Sequence, residues 1–371
     1  MRIMVLTNEF HPQIIGGLGI VATELSAALA EEGTLRLTVI TKGQGDTVQV
    51  QSIDNLKIIR FPSLPYTSPK IFFPKAIESW LDQTREDRPA LLHVHSVQCC
   101  ELALACKAKW QVPLVYTCHS LVFQEHASAG REEMVLRQAL LFEHSDSIIV
   151  PSGWLLEEIV RKHPAYAQKI FVIPNGVTSP EVSFRPNRYH LLFVGRLVRS
   201  KGIEELLYAV SLLREQQPLV KLIVIGTGSE RYLEHLYQLS EQLDLNDSIS
   251  WLGFQMHNQV QQMYADVGAV IVPSRNESFC LVALEALAAG VPLVSTQCGG
   301  LVHLVDESVA SIIPEVEPVS ICEAVFKMWD DQACTDRRVR QGKELAAKFG
   351  WSQVAHRYRE LFQSLLAGEG E

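Results

Sequence analysis

The stretch Arg275-Asn276-Glu277-Ser278-Phe279-Cys280-Leu281-Val282-Ala283-Leu284-Glu285 carries two carboxylates eight positions apart, with an apolar helical run between them. It follows the apolar run Val267 to Val272, which Pro273 and Ser274 end. Glu277 is therefore expected in a loop at the carboxyl end of a buried parallel strand. Glu285 is expected about two turns into the next helix, roughly 12 Å along at ~1.5 Å per residue. Ionised carboxylates accept hydrogen bonds from hydroxyl groups, so the pair suits a polyhydroxy ligand with two ends. Read alone, the same spacing fits a surface loop acid followed by a solvated helix acid.

Two cations stand where an anionic ligand would need them. Gly195-Arg196 closes the run beginning at His190, and Lys201-Gly202 precedes the next helical stretch. Arg196 at a strand end, with Lys201 just behind it, can neutralise a diphosphate, each charge-assisted contact contributing ~1.5–3 kcal/mol. Alone they would also pass for solvated surface cations. The chain has no Asp-x-Asp and no His/Asp cluster at metal-ligand spacing. A leaving diphosphate would then rely on Arg196, Lys201 and helix N-termini. The helix beginning near Cys280 can offer the N–H groups of Leu281 and Val282. Taken with the carboxylates, these groups span a nucleotide-sugar, one acid for the hexose and one for the ribose.

Three other clusters are weaker. Gly16-Gly17-Leu18-Gly19 lies between the first strand and the first helix. Glycine lets a backbone approach a ligand, and a helix N-terminus offers N–H groups to an anion. Many strand-helix turns use glycine without a ligand, and this one is not the G-x-G-x-x-G fingerprint. Gly226-Thr227-Gly228 also lacks the third glycine and reads as a plain turn. His119, in Tyr116-Thr117-Cys118-His119-Ser120, ends another strand, a place where a lone histidine is more often structural.

Such groups need parallel strands to carry them. Short apolar runs alternate with amphipathic stretches along the chain. Strands are expected at 3–7, 37–41, 57–61, 91–94, 114–117, 147–150 and 170–173, with helices between them, for example 21–32 and 154–162. Pro174-Asn175-Gly176 opens a polar, proline-bearing stretch through Pro180, Pro186 and Asn187, read as an interdomain linker. The rhythm restarts at 190–195 and continues at 221–225, 248–252, 269–272, 292–295 and 311–313. The fold class is α/β, with two doubly wound parallel sheets. Ligands of such sheets lie at the carboxyl ends of strands, and two facing domains put a cleft between them.

The bulk numbers agree. A chain of 371 residues is long for one core. Its 47% hydrophobic and 20% charged residues are ordinary for a globular protein. A net charge of −9 argues against nucleic acid as a main partner. Neither half is basic: 17 basic and 19 acidic residues lie in 1–187, and 16 and 23 beyond. The eight cysteines form no CxxC and read as reduced thiols of a cytoplasmic protein. Met1 leads straight into a strand rather than a signal peptide, and no apolar run approaches ~20 residues.

Together these residues resemble the glycosyltransferases of the GT-B fold that carry an E-x7-E motif, the group of family 4 and group 1. The resemblance covers nearly the whole chain. It rests on the Gly16-Gly17 loop, Ile173-Pro174-Asn175-Gly176-Val177, Val194-Gly195-Arg196-Leu197 with Lys201-Gly202, Glu277 to Glu285 with Ala286-Leu287-Ala288-Ala289-Gly290-Val291-Pro292, and Phe349-Gly350-Trp351. It implies a Rossmann-like acceptor domain over 1–178, to which a terminal helix at about 351–371 returns, and a donor domain over 188–350. It implies transfer of a hexose, glucose in the first place, from a UDP-sugar to a hydroxyl acceptor, with retained configuration and no metal or other cofactor. Glu285 would bind the ribose and Glu277 the transferred sugar near its 3-hydroxyl. Arg196 and Lys201 would hold the diphosphate, with Gly195, Ser278, Phe279, Cys280, Leu281 and Val282 around it. His119 would approach the sugar's 6-hydroxyl and the reaction centre through its backbone carbonyl or ring, and Gly16 and Gly17 would close on the donor. The acceptor would be a carbohydrate or glycolipid, as in polysaccharide or glycolipid synthesis.

Some positions depart from that pattern. Cys280 stands where a glycine is usual, which would tighten the donor pocket, and His303 where an acid usually follows Gly299-Gly300. Asn8-Glu9-Phe10 with the glycine loop also resembles bacterial glycogen synthases, but Ile15 replaces their lysine, which favours UDP-sugar over ADP-glucose. Pro65 to Trp80, with Tyr66, Lys70, Ile71, Phe72, Phe73 and Lys75, could be an acceptor or membrane-surface loop, or ordinary packing. A nucleotide-sugar epimerase or phosphorylase of the same fold, and a non-catalytic nucleotide-sugar-binding subunit, remain the alternatives.

Overall fold

The computed structural model describes residues 1–62, 74–83, 88–124, 130–179 and 186–367. The chain forms two compact units, Met1–Gly176 with Trp351–Glu371, and Val177–Gly350.

In the first unit, strands β1 (Arg2–Leu6), β2 (Arg36–Gly43), β3 (Gln49–Ile53), β4 (Leu56–Pro62), β5 (Leu91–Val94), β6 (Leu114–Thr117), β7 (Ser147–Val150) and β8 (Ile170–Val172) form a sheet of order β3-β4-β2-β1-β5-β6-β7-β8. All neighbours are parallel except β3, which pairs antiparallel with β4. β5, β6 and β7 are buried at every position, as strands covered on both faces must be. The order reverses between β1 and β5, the switch point at which ligands of such sheets bind. The edge strand β3 escapes the sequence pattern. Its residues Gln-Val-Gln-Ser-Ile are all exposed, so no apolar run marks it.

The terminal helix Trp351–Ala367 belongs to this unit. Arg359 Nη1 meets Glu32 Oε2 at 2.5 Å, and Arg357 Nη2 donates to the Val172 carbonyl at 2.8 Å. Trp351 lies against Gly176, where any Cβ would fall about 2.4 Å from the indole.

In the second unit, β9 (Asn187–Val194), β10 (Lys221–Ile225), β11 (Ile249–Gly253), β12 (Val267–Val272), β13 (Leu293–Thr296) and β14 (Ser311–Ile313) form a parallel sheet of order β11-β10-β9-β12-β13-β14. Leu191 and Phe193 enter the core on one face of β9, and Leu192 the core on the other. The order reverses between β9 and β12. The turns after these two strands, beginning at Gly195 and Pro273, therefore flank this unit's switch point.

The expected linker is not a loose tether at its start. Ile173, Asn175 and Val177 are buried, and Val177 N–H donates to the Phe349 carbonyl at 2.8 Å. Residues 180–185 lie outside the described residues, as does most of the stretch read as an acceptor or membrane loop. At the end of that stretch Trp80 packs edge-on against Phe61, with centroids 5.5 Å apart. Among the described residues, no helix is long and apolar enough to cross a membrane.

Candidate active site

In the second unit, Glu277 follows β12 as expected. Its Oε1 receives Lys201 Nζ at 2.6 Å and the Ser274 hydroxyl at 2.8 Å. Lys201 ends the short 3-10 turn Arg199–Lys201 before the helix Ile203–Gln216. Burial opposes charge on Lys201, but Glu277 beside it outweighs that, so its pKa rises above the ordinary lysine value. The Glu277 backbone is fixed as well. Gly300 N–H donates to its carbonyl at 2.7 Å, and a Cβ on Gly299, whose φ is +55°, would lie 2.1 Å from that oxygen. Gly299 is thus required by the close approach of the Glu277 loop, while Gly300 contributes its backbone N–H. Arg196 is exposed immediately after β9 and Gly195. The Gly226–Gly228 turn serves this strand end, since Thr227 accepts the Leu197 N–H at 2.7 Å.

Glu285 lies in the helix Leu281–Ala289, so it is about one turn in and not two. It is no solvated acid: it is 6% exposed. His257 Nε2 sits 2.9 Å from Oε1, and the Tyr264 hydroxyl donates to Oε2 at 2.8 Å. Burial, then the neighbouring Glu285, pushes the Tyr264 pKa well up, so the phenol stays a donor. A buried carboxylate held on both oxygens is oriented before any ligand arrives.

The residues between the two acids divide by role. Phe279 is buried in the core and faces Phe349, so its ring supports the loop rather than lining an open surface. Leu281 and Val282 are half-buried at the first two helical positions, where N–H groups have no partner within the helix. Ser278 is half-buried. Cys280 has φ +76°, a left-handed conformation that glycine adopts freely and cysteine does not. The consequence of the substitution expected to tighten a pocket is therefore first a strained backbone. Burial, then Glu277, raises its thiol pKa well above the ordinary value, so it is a poor nucleophile. His303 is exposed at the end of the turn Gly299–His303.

In the first unit, the glycine loop is arranged differently from expectation. Glu9 Oε2 accepts the N–H groups of Ile15 and Gly16 at 2.9 and 3.1 Å. An internal carboxylate thus takes the N–H of Gly16, one of the two glycines expected to close on a donor. Gly19 makes room for it, since a Cβ there would lie 2.9 Å from Glu9. Gly16 itself faces open space, Gly17 is exposed, and Ile15 is 75% exposed.

His119 follows β6 and is half-buried. Its Nε2 is 3.1 Å from His95 Nδ1, and the two rings lie edge to edge, 22° from parallel with centroids 5.3 Å apart. His93 lies against His95 at 4.2 Å. Burial, helped by neighbouring rings, holds His95 well below the ordinary histidine pKa and takes His93 to about 3. Burial alone takes His119 to about 4. All three rings are neutral near pH 7.

Ser274, His257, Tyr264 and His95 escape a reading by motif, and Glu9, within the Asn8-Glu9-Phe10 resemblance, carries no expected role in holding the glycine loop. Ser274 and Glu9 sit at strand ends, a weak signal. His257 and Tyr264 lie 28 and 21 positions before Glu285 with nothing in their own neighbourhood to mark them. Five cysteines are buried, as small core residues, and Cys280, Cys298 and Cys334 are half-buried. Among the described residues, no group of three or more His, Cys, Asp and Glu is placed to hold a metal ion.

Two family models match the chain. "Glycosyltransferase Family 4" matches residues 15–179 and "Glycosyl transferases group 1" matches residues 178–345. A glycogen synthase of Mycobacterium tuberculosis is 27% identical over 400 aligned positions, covering 100% of this chain and 96% of the relative. Among solved structures, sucrose-phosphate synthase from Thermosynechococcus elongatus superposes with a TM-score of 0.83 at 22% identity, over 99% of both chains. Anabaena Alr3699/HepE, in complex with UDP and glucose, superposes at 0.78 and 19%, over 98% of this chain and 99% of that one. These likenesses establish two Rossmann-like domains of the GT-B type.

Proposed function

Because the chain belongs to the glycosyltransferases that join a Family 4 half to a group 1 half, we propose that it moves a hexose from a UDP-sugar, UDP-glucose first, to a hydroxyl acceptor. The observation that carries this reading is the second unit's switch point. There a half-buried ion pair, Lys201–Glu277, and a buried, doubly held Glu285 stand beside one parallel sheet. Lys201 and Arg196 bind the diphosphate. Glu277 accepts from the hexose, using Oε2, since both its described bonds fall on Oε1. Glu285 accepts from the ribose hydroxyls. The N–H groups of Leu281 and Val282 meet the phosphate oxygens as negative charge builds on the leaving group. HepE, a structural neighbour in complex with UDP and glucose, supports the choice of donor.

The reaction is read as metal-independent and retaining. The acceptor attacks the front face, and the departing phosphate takes its proton. His119 contacts the sugar's 6-hydroxyl, and the loop of Gly16 and Gly17 closes on the donor. The acceptor is a carbohydrate or glycolipid bound by the first unit. The eight free cysteines suit a reducing cytoplasm as the place of action.

The test is a donor panel with UDP release as the readout, with and without EDTA, and anomeric NMR of the product. UDP-glucose should turn over unchanged in EDTA. Release from no donor, with any acceptor or water, would sink the proposal. UDP release without a transfer product would point to an epimerase, and phosphate-dependent sugar phosphate to a phosphorylase.

A further inference from the structure

We infer that His95 is a positioning residue for His119: its Nδ1–H donates to His119 Nε2 and fixes His119 as the Nδ1–H tautomer. The role in turnover rests on the reading above, in which His119 touches the sugar, while the tautomer itself does not.

The argument starts from one shared hydrogen. His95 is 2% exposed and His93 0%, and burial keeps both rings neutral. His119 is neutral too. Between His95 Nδ1 and His119 Nε2, 3.1 Å apart, a single proton must therefore serve two nitrogens. If His119 donated, His95 would carry its own proton on Nε2, a buried atom without a partner. A buried N–H with no acceptor is the rarer and costlier orphan, so the proton belongs on His95 Nδ1. His119 Nε2 then accepts, and its proton resides on Nδ1.

The same reasoning orders the neighbouring ring. His93 Nδ1 is also buried without a partner, so His93 donates through Nε2 to Thr117 Oγ1 at 2.8 Å. The Thr117 hydroxyl can donate on to the Tyr358 hydroxyl, 3.3 Å away on the terminal helix. His93 in turn lies against His95, with ring centroids 4.2 Å apart. His95 is thus held by its contact with His93 and its hydrogen bond to His119, and His119 meets its ligand as a hydrogen-bond donor. A donor suits a sugar hydroxyl oxygen and leaves His119 unable to act as a base through Nε2.

The experiment uses the full chain labelled with 15N-histidine, and long-range 1H–15N spectra near neutral pH. His119 is assigned by the signal lost in His119→Ala. The expected wild-type pattern is protonated Nδ1 and bare Nε2 on His119. His95→Phe should release it into exchange between tautomers, and His95→Asn, whose amide can occupy the Nδ1 place, should restore it. With an active donor, His95→Phe should lower kcat about tenfold, the worth of one ordinary hydrogen bond, with little change in donor KM. In a His119→Ala background the same change should have no further effect.

Protonated Nε2 on wild-type His119, or an unaltered His119 signal in His95→Phe, overturns the inference. So does a His95→Phe loss that persists in full without His119. Should His95→Phe fail to fold, the wild-type and His95→Asn spectra decide. A correct tautomer in a protein that releases UDP from no donor would indict the functional reading instead.

Discussion

Lys201 and Glu277, 76 positions apart, meet as an ion pair of 2.6 Å, with side chains only 20% and 10% exposed. Neither is oriented by its own segment alone. Ser274 shares the same carboxylate oxygen, and the Gly299-Gly300 turn clamps the Glu277 backbone.

Lys201→Ala strands a largely buried carboxylate. Stability should fall by about 3 kcal/mol in urea titration, and turnover by ~100-fold or more. Glu277→Gln removes the charge but keeps the shape, so it should lose turnover with a smaller stability change. Lys201 has a folded pKa raised above 10.5. Its stabilising contribution is therefore fully present below pH 10.5 and lost as pH rises through the folded value. A Lys201→Met chain should show a flatter alkaline limb than wild type.

Glu285→Ala should weaken UDP binding at least tenfold by calorimetry. Tyr264→Phe keeps the ring in the core but leaves Glu285 Oε2 without its donor. That variant should lose about 1–2 kcal/mol of stability and a few-fold in UDP affinity. Unchanged UDP affinity in Glu285→Ala would mean that the ribose lies elsewhere.

His93, His95 and His119 predict acid sensitivity. His93 falls from 6.5 to about 3 and His119 to about 4 on folding. Below pH 6.5 the unfolded chain binds protons that the folded one refuses. The contribution is thus whole above 6.5 and shrinks as pH falls toward those values. Urea midpoints should drop steadily from pH 6.5 to 4, and His93→Phe should flatten that slope.

Cys280 holds a left-handed backbone at φ +76°. Glycine relieves roughly 1–2 kcal/mol of that strain and returns part of it as unfolded-state entropy. Cys280→Gly should be about 0.5 kcal/mol more stable than wild type, and clearly more stable than Cys280→Ala. Equal midpoints for glycine and alanine would show the strain to be absent.

Much of the frame was readable from residue order. Strand and helix periods are local, so apolar runs such as Leu91–Val94 and Leu114–Thr117 match observed strands end to end. Strand ends place loops, which is why Arg196, Glu277 and His119 emerge where a parallel sheet would put them. The edge strand Gln49–Ile53 was illegible because solvent covers it and no burial shapes its composition.

The glycine loop shows where residue order stops. Its composition invites an anion, but whether an outside phosphate or the chain's own Glu9 takes the N–H groups of Ile15 and Gly16 depends on how the turn folds back. Glu277 and Glu285 divide along the same line. By itself, the sequence determined that two acids flank the start of a helix after a buried strand, since that follows from periodicity and propensity. Only the tertiary structure decided that Lys201 and Ser274 take one acid, and His257 and Tyr264 the other. Ser274 shares the loop of Glu277, but Lys201, His257 and Tyr264 come from other segments, and a hydrogen bond depends on where atoms lie in space, with no trace in their spacing along the chain.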